Sequence, residues 1–204
     1  MGKIKTKKRD TFIDMTAMSD VTVLLLTFFM LTANFIPLEP VQVITPASVM
    51  ETKVPDYNVI TVLIEPTGKI FLNLDRPNDK RAVLEKIGAR YSIAFSEQEI
   101  ANFMEPTTFV GVSIAQLKEF LALDMEDQKD YFRQSNGVPA DSANNQLAVW
   151  IQTAKAVNKD LAVSIKADQS TPYPLVRAVT STLQDIKENR FSLITTLRNM
   201  PEGF

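Results

Sequence analysis

The chain has no histidine and no cysteine in its 204 residues. Without them there is no Ser-His-Asp or Cys-His nucleophile and no ordinary Cys/His zinc site. Thiol redox chemistry and disulfide staples are excluded too, so any exported part must be held together by its core alone. No phosphate-binding glycine loop and no internal repeat is present. The net charge is only −2, which does not suit a nucleic-acid binder. Apolar residues make up 45% and charged residues 23%, the proportions of a folded chain rather than a disordered one.

Acidic residues are missing from the first nine positions, which carry Lys3, Lys5, Lys7, Lys8 and Arg9. Charge of either sign is missing from residues 21–36. Beyond Ile36 the chain holds 17 Lys/Arg against 21 Asp/Glu. A basic head, an apolar run and an acidic remainder follow the positive-inside rule, which puts the N-terminus in the cytoplasm. A cleaved signal peptide is the competing reading. Against it, Phe35-Ile36-Pro37-Leu38 is not a small-x-small cleavage site, and the run is long for a signal core. A buried core helix is a further alternative, disfavoured by the basic flank. The expectation is therefore a single uncleaved anchor, residues 15–36, after a cytoplasmic basic tail, residues 1–14.

A hydrocarbon core of about 30 Å needs about 20 helical residues. Residues 21–36 supply about 24 Å at 1.5 Å per residue. Pro37 discourages outward extension. Counting back about 20 residues from Ile36 reaches Ala17, so Asp20 falls inside the span near its cytoplasmic end. Asp14 precedes it and reads as a solvated or helix-start residue. A carboxylate in lipid costs at least a few kcal/mol unless protonated, paired or wetted. With no histidine present, Asp20 is the candidate proton carrier. The plain alternative places it among headgroups with no role. Thr27 and Asn34 follow Asp20 at intervals of seven, so the three share one helix stripe. A polar stripe normally faces a bundle or a wet cavity, which implies partner helices; simple helix–helix hydrogen bonding by Thr27 and Asn34 is the alternative.

Ile13-Asp14-Met15-Thr16-Ala17-Met18-Ser19-Asp20-Val21, followed by Leu24-Leu25-Leu26-Thr27-Phe28-Phe29-Met30, resembles the start of ExbD/TolR-family proteins. Thr16, Asp20 and Val21 match that family's helix-entry motif. Ala17 stands where proline is usual, and Ser19 where an apolar residue is usual. A second likeness lies in Leu161-Ala162-Val163-Ser164-Ile165-Lys166-Ala167-Asp168 with Tyr173-Pro174-Leu175-Val176, and a weaker third in residues 59–64 and 68–73. The resemblance covers about 1–88 and 146–200. Residues 89–145 read as an extra segment that the common form lacks.

Past the anchor, Pro37, Pro40, Pro46 and Pro55 mark residues 37–56 as an extended linker. Val41, Val43 and their neighbours to Ile44 form a possible short strand that could pair with a second copy, or the stretch is plain tether. Residues 57–204 are expected to form an α+β domain, a small mixed sheet covered by helices. Strands are expected at 57–64 and 69–74 around a Glu65-Pro66-Thr67-Gly68 turn, and a further strand is possible at 107–112. Helices are expected at 80–89, 96–104, 113–132 and 146–158. Residues 161–197 read as a β-α-β unit, with a helix capped by Ser170 or Thr171 and a last strand at 191–197. Trp150 reads as core. The acids at 124–130 read as a solvated face, with no metal-ligand spacing.

The resemblance implies a non-enzymatic inner-membrane subunit of a proton-driven motor, with protons as coupling ion and no cofactor. It implies ExbB/TolQ-like channel subunits, a TonB-like transducer, a homodimer and membrane lipid as partners. The exported domain would then be periplasmic. A TolR-like role with cell-wall contact is the near alternative. A membrane-anchored adaptor in which Asp20 only aids assembly is another.

Overall fold

The computed structural model describes residues 15–33, 43–48, 55, 57–141 and 144–197. The basic tail, Asn34 and Val41 lie outside these. The chain divides into two compact units, residues 1–37 and 38–204.

In the first unit, α1 runs Met15–Thr32. Its 18 residues are long and apolar enough to cross a membrane. At 1.5 Å per residue they extend about 27 Å. No residue in α1 is buried.

In the second unit the linker forms β1, Ala47–Ser48. The strand therefore lies beyond Val43 and Ile44, not on them. The N–H of Ile44 goes to Asp168 Oδ2 at 2.9 Å, and its carbonyl accepts from Gln169 N at 2.8 Å. Pro46 next to them has no N–H to give a ladder. Val43 packs part-buried against the core.

The β-branched run Val59–Ile64 makes β2 and Ile70–Leu74 makes β3. They pair antiparallel, Val62 opposite Leu72. Between them Gly68 donates to the Glu65 carbonyl at 2.9 Å and takes φ +92°, a conformation glycine adopts without penalty.

Helix α2 is Pro77–Tyr91. It starts earlier than the apolar spacing suggests, because Pro77 occupies the first turn, where its missing N–H costs nothing. Val83, Leu84 and Ile87 are buried. Helix α3, Glu97–Met104, opens on a capping box. Ser96 Oγ accepts from Glu99 N, and the Glu99 carboxylate accepts from Ser96 N at 2.7 Å.

Residues 113–132 do not form one helix. They give α4, Leu117–Leu121, and the start of α5, Met125–Gln134. The rings of Phe120 and Phe132 lie 4.8 Å apart. On one continuous helix a separation of twelve residues would hold them about 18 Å apart along the axis. Burying both requires the chain to fold back, and it does so at Asp124, which is extended. Residues 107–112 likewise form no strand. Only Val110 bridges to Leu72.

A minimal hairpin, β4 (Ala140–Asp141) and β5 (Asn144–Asn145), leads into α6, Gln146–Val157, whose first turn is capped by Asn145 Oδ1 accepting from Ala148 N. Strand β6 is Ala162–Ala167 and α7 is Tyr173–Asp185. Neither Ser170 nor Thr171 caps α7. Ser170 gives its N–H and hydroxyl to Asp168 Oδ1, and the Thr171 hydroxyl donates to the Ile64 carbonyl. Pro172 stands at the N-cap instead. The final segment splits into β7, Phe191–Leu193, and β8, Thr196–Leu197. Ile194 N still bonds to Ile165, after which the chain leaves the main sheet and β8 pairs in parallel with β1.

The main sheet has the order β3-β2-β6-β7, with β3-β2 antiparallel and β2-β6-β7 parallel. The fold is α+β with a mixed sheet packed with helices, as expected. Register puts Ile60, Val62, Ile64, Leu72, Val163 and Ile165 on one face, all buried. It also lines Asn73, Thr61, Ser164 and Ser192 in one row on the other face.

Candidate functional site

Asp20 is the sixth residue of α1, about 8 Å along the axis from its first residue. Among the described residues no side chain bonds or pairs with its carboxylate. The hydroxyls around it are used differently. Ser19 donates to the Met15 carbonyl at 2.8 Å, Thr22 to Met18, Thr27 to Leu24 at 2.9 Å and Thr32 to Phe28 at 2.8 Å. Each of these side chains satisfies its donor within its own helix, which lets a hydroxyl sit in an apolar span at little cost.

That separates two members of the polar stripe. Thr27 lies on the Asp20 face, two turns on, with its proton committed to the backbone. Asp20 has no such partner among the described residues. Thr16 lies one turn before Asp20 on the same face, and Val21 beside it is 65% exposed. Asn34 falls outside the described residues.

In the second unit, Asp168 closes the turn after β6. Its carboxyl is held below the usual carboxylate range, first by the Ser170 hydroxyl, then by the backbone N–H groups of Ser170 and Ile44. The Ala167-Asp168 match to the family is thus a structural tie that fastens the linker to the sheet. Sequence reasoning quoted Asp168 without giving it that job. The legible signal was Asp168-Gln169-Ser170, an Asx-turn pattern.

Lys80 was also missed. It sits in α2 at 1% exposure. Its Nζ donates to the carbonyls of Glu105 at 2.6 Å and Thr108 at 3.1 Å, and lies 5.8 Å from the centre of the Phe103 ring. Trp150 is fully buried against Phe103. The acids after Asp124 face solvent where they are described; Asp130 pairs with Arg133 on the surface. Among the described residues no three metal-ligating side chains gather.

An apolar helix carrying one carboxyl, ahead of a separate α+β unit, is the layout of a singly anchored membrane protein. The chain belongs to the family described as Biopolymer transport protein ExbD/TolR, which matches residues 6–197. Membership makes it a subunit of the kind that energises biopolymer transport, in a non-enzymatic family that generally works with ExbB/TolQ and TonB-like proteins. One N-terminal apolar helix fits the single membrane anchor of that family. No curated protein and no solved structure matches the chain.

Proposed function

We propose that the chain is the ExbD-like member of an inner-membrane motor driven by the proton-motive force. Asp20 accepts and releases protons in it. The observation that carries this reading is the contrast within α1. Four described hydroxyls close on their own backbone, and the single carboxyl does not. An ionisable group kept in an apolar span without an internal partner needs one from outside the helix. An ExbB/TolQ-like channel subunit and a second copy of this chain would supply that surrounding, with lipid on the remaining face.

In this reading the N-terminal tail is cytoplasmic and residues 57–204 are a periplasmic domain joined by the linker. Protonation removes the Asp20 charge and lets the helix shift within its ring. Each elementary charge moved down the field releases about 2.3 kcal/mol per 100 mV. The exported domain passes the movement to a TonB-like partner that opens outer-membrane transporters. Protons are the coupling ion, and no cofactor is called for.

Asp20→Asn keeps the size and much of the hydrogen bonding but cannot carry a proton. In cells, the variant is expected to reach the membrane at normal level, to co-purify with the channel partner, and to lose energy-dependent uptake of an iron chelate or vitamin. Uptake at the unaltered level would remove the carrier role and leave an anchored adaptor.

A further inference from the structure

Strand β3 ends the main sheet, so one row of its backbone groups faces away from β2. Such an edge is a template for a strand from another chain. Here it is already occupied. Leu72 N donates to the Val110 carbonyl at 2.8 Å, and Val110 N returns a bond to the Leu72 carbonyl at 2.7 Å. Val138 N donates to the Ile70 carbonyl at 2.8 Å. Two glycines permit the close approach. A Cβ on Gly111 would stand 2.2 Å from the Phe71 ring, and one on Gly137 would stand 2.6 Å from Ile70 N. The occupants come from two places in the stretch between α2 and α6, about thirty residues apart.

Two ammonium groups from outside that stretch, one on α2 and one just before β3, hold it close to its two contact points. Lys80 binds the carbonyls of Glu105 and Thr108, just before Val110. Lys69 donates to the Arg133 carbonyl at 2.8 Å and approaches that of Phe132, just before Gly137. Neither contact point is a regular strand. The hydrogen bonds are those of strand addition, made by two irregular pieces pinned in place.

We propose that the stretch between α2 and α6 is a resident occupant of the β3 edge, which closes that edge to strand pairing with a second copy of this chain. Removing the cover exposes the outward groups of Ile70 and Leu72, and the partner that fits them is the same strand from another copy, antiparallel to it. In the proposed motor, on which this step rests, a second copy stands beside the first, which makes an unguarded edge a route to misassembly rather than a harmless feature.

The test uses the full chain in detergent micelles. Val110→Pro removes one donor from the cover. Lys69→Met releases the far clamp at a half-exposed position. Two quantities are read: amide exchange at Leu72 relative to the central-strand amide of Ile165, and molar mass by light scattering against concentration. In the unaltered chain Leu72 is expected to be protected and the assembly constant. In a variant whose Trp150 fluorescence stays native, Leu72 exchange is expected to accelerate at least about tenfold at low concentration. Higher assemblies are then expected to grow with concentration while Leu72 protection returns. Release of Leu72 with no change of assembly would overturn the proposal. So would higher assemblies that grow while Leu72 stays protected at every concentration, since the copies would then pair elsewhere than at this edge. Where Val110→Pro does not fold, Lys69→Met decides, with exchange of the Val138 amide, which bonds the Ile70 carbonyl beside that clamp, read in place of Leu72.

Discussion

Lys80 is buried to 1% exposure beside Phe103, and burial pulls its ammonium down to about 8, although Glu105 and Asp75 pull the other way. An unfolded lysine titrates near 10.4. Between these values the unfolded chain holds the extra proton, so stability should rise with pH through that window. Below pH 8 the cost of burying the charge is fully present, at most a few kcal/mol. Thermal midpoints, read from the single tryptophan Trp150, are expected to rise between pH 7.5 and 9.5 relative to Lys80→Met; parallel curves would contradict this. Gly111 gives a second prediction. Its missing Cβ leaves room for the Phe71 ring, so Gly111→Ala should cost about 1–3 kcal/mol. A midpoint unchanged by that substitution would mean the ring has somewhere else to go. Neither residue announces itself in sequence. A lysine on an amphipathic helix reads as solvated, because its burial depends on a segment more than twenty residues away.

Elements whose cause is local were readable. The β2–β3 hairpin follows from a β-branched run and a Pro-Thr-Gly turn, and α3 follows from the Ser96 and Glu99 capping box. Elements whose cause is distant were not. The 113–132 helix breaks because Phe120 and Phe132 must meet, and the 191–197 strand breaks because β8 leaves to pair with β1. The linker strand shifts to Ala47–Ser48 because Ile44 is taken by Asp168 and Gln169. That tie makes a prediction for the element. The Asp168 carboxyl is held low, so the tie stands above the ordinary carboxylate value near 4 and is lost only as pH falls below it. Protection of the Ile44 amide should be flat from pH 7 to about 5 and fall in stronger acid. Asp168→Ala should remove it throughout. Protection that survives in Asp168→Ala would assign the linker's attachment to β1 and β8 instead.

At the scale of the molecule, the apolar helix and the α+β unit were separable in the sequence because one has a long run without charge and the other is an ordinary folded composition. The candidate site stood out for the same reason: Asp20 is conspicuous only against sixteen uncharged neighbours. The distinction between Asp20 and Thr27 was not legible, since a threonine in an apolar helix can turn to its own backbone or to a partner, and spacing alone does not choose. The central claim is that Asp20 is the group through which protons enter and leave. The most direct measurement is proton entry into sealed vesicles holding the purified complex of this chain with its channel subunit, under an imposed pH gradient and followed by a pH-sensitive dye. The unaltered complex should conduct, and the Asp20→Asn complex, at equal mass and equal subunit ratio, should fall to the level of empty vesicles. Equal conduction by both complexes would contradict the claim.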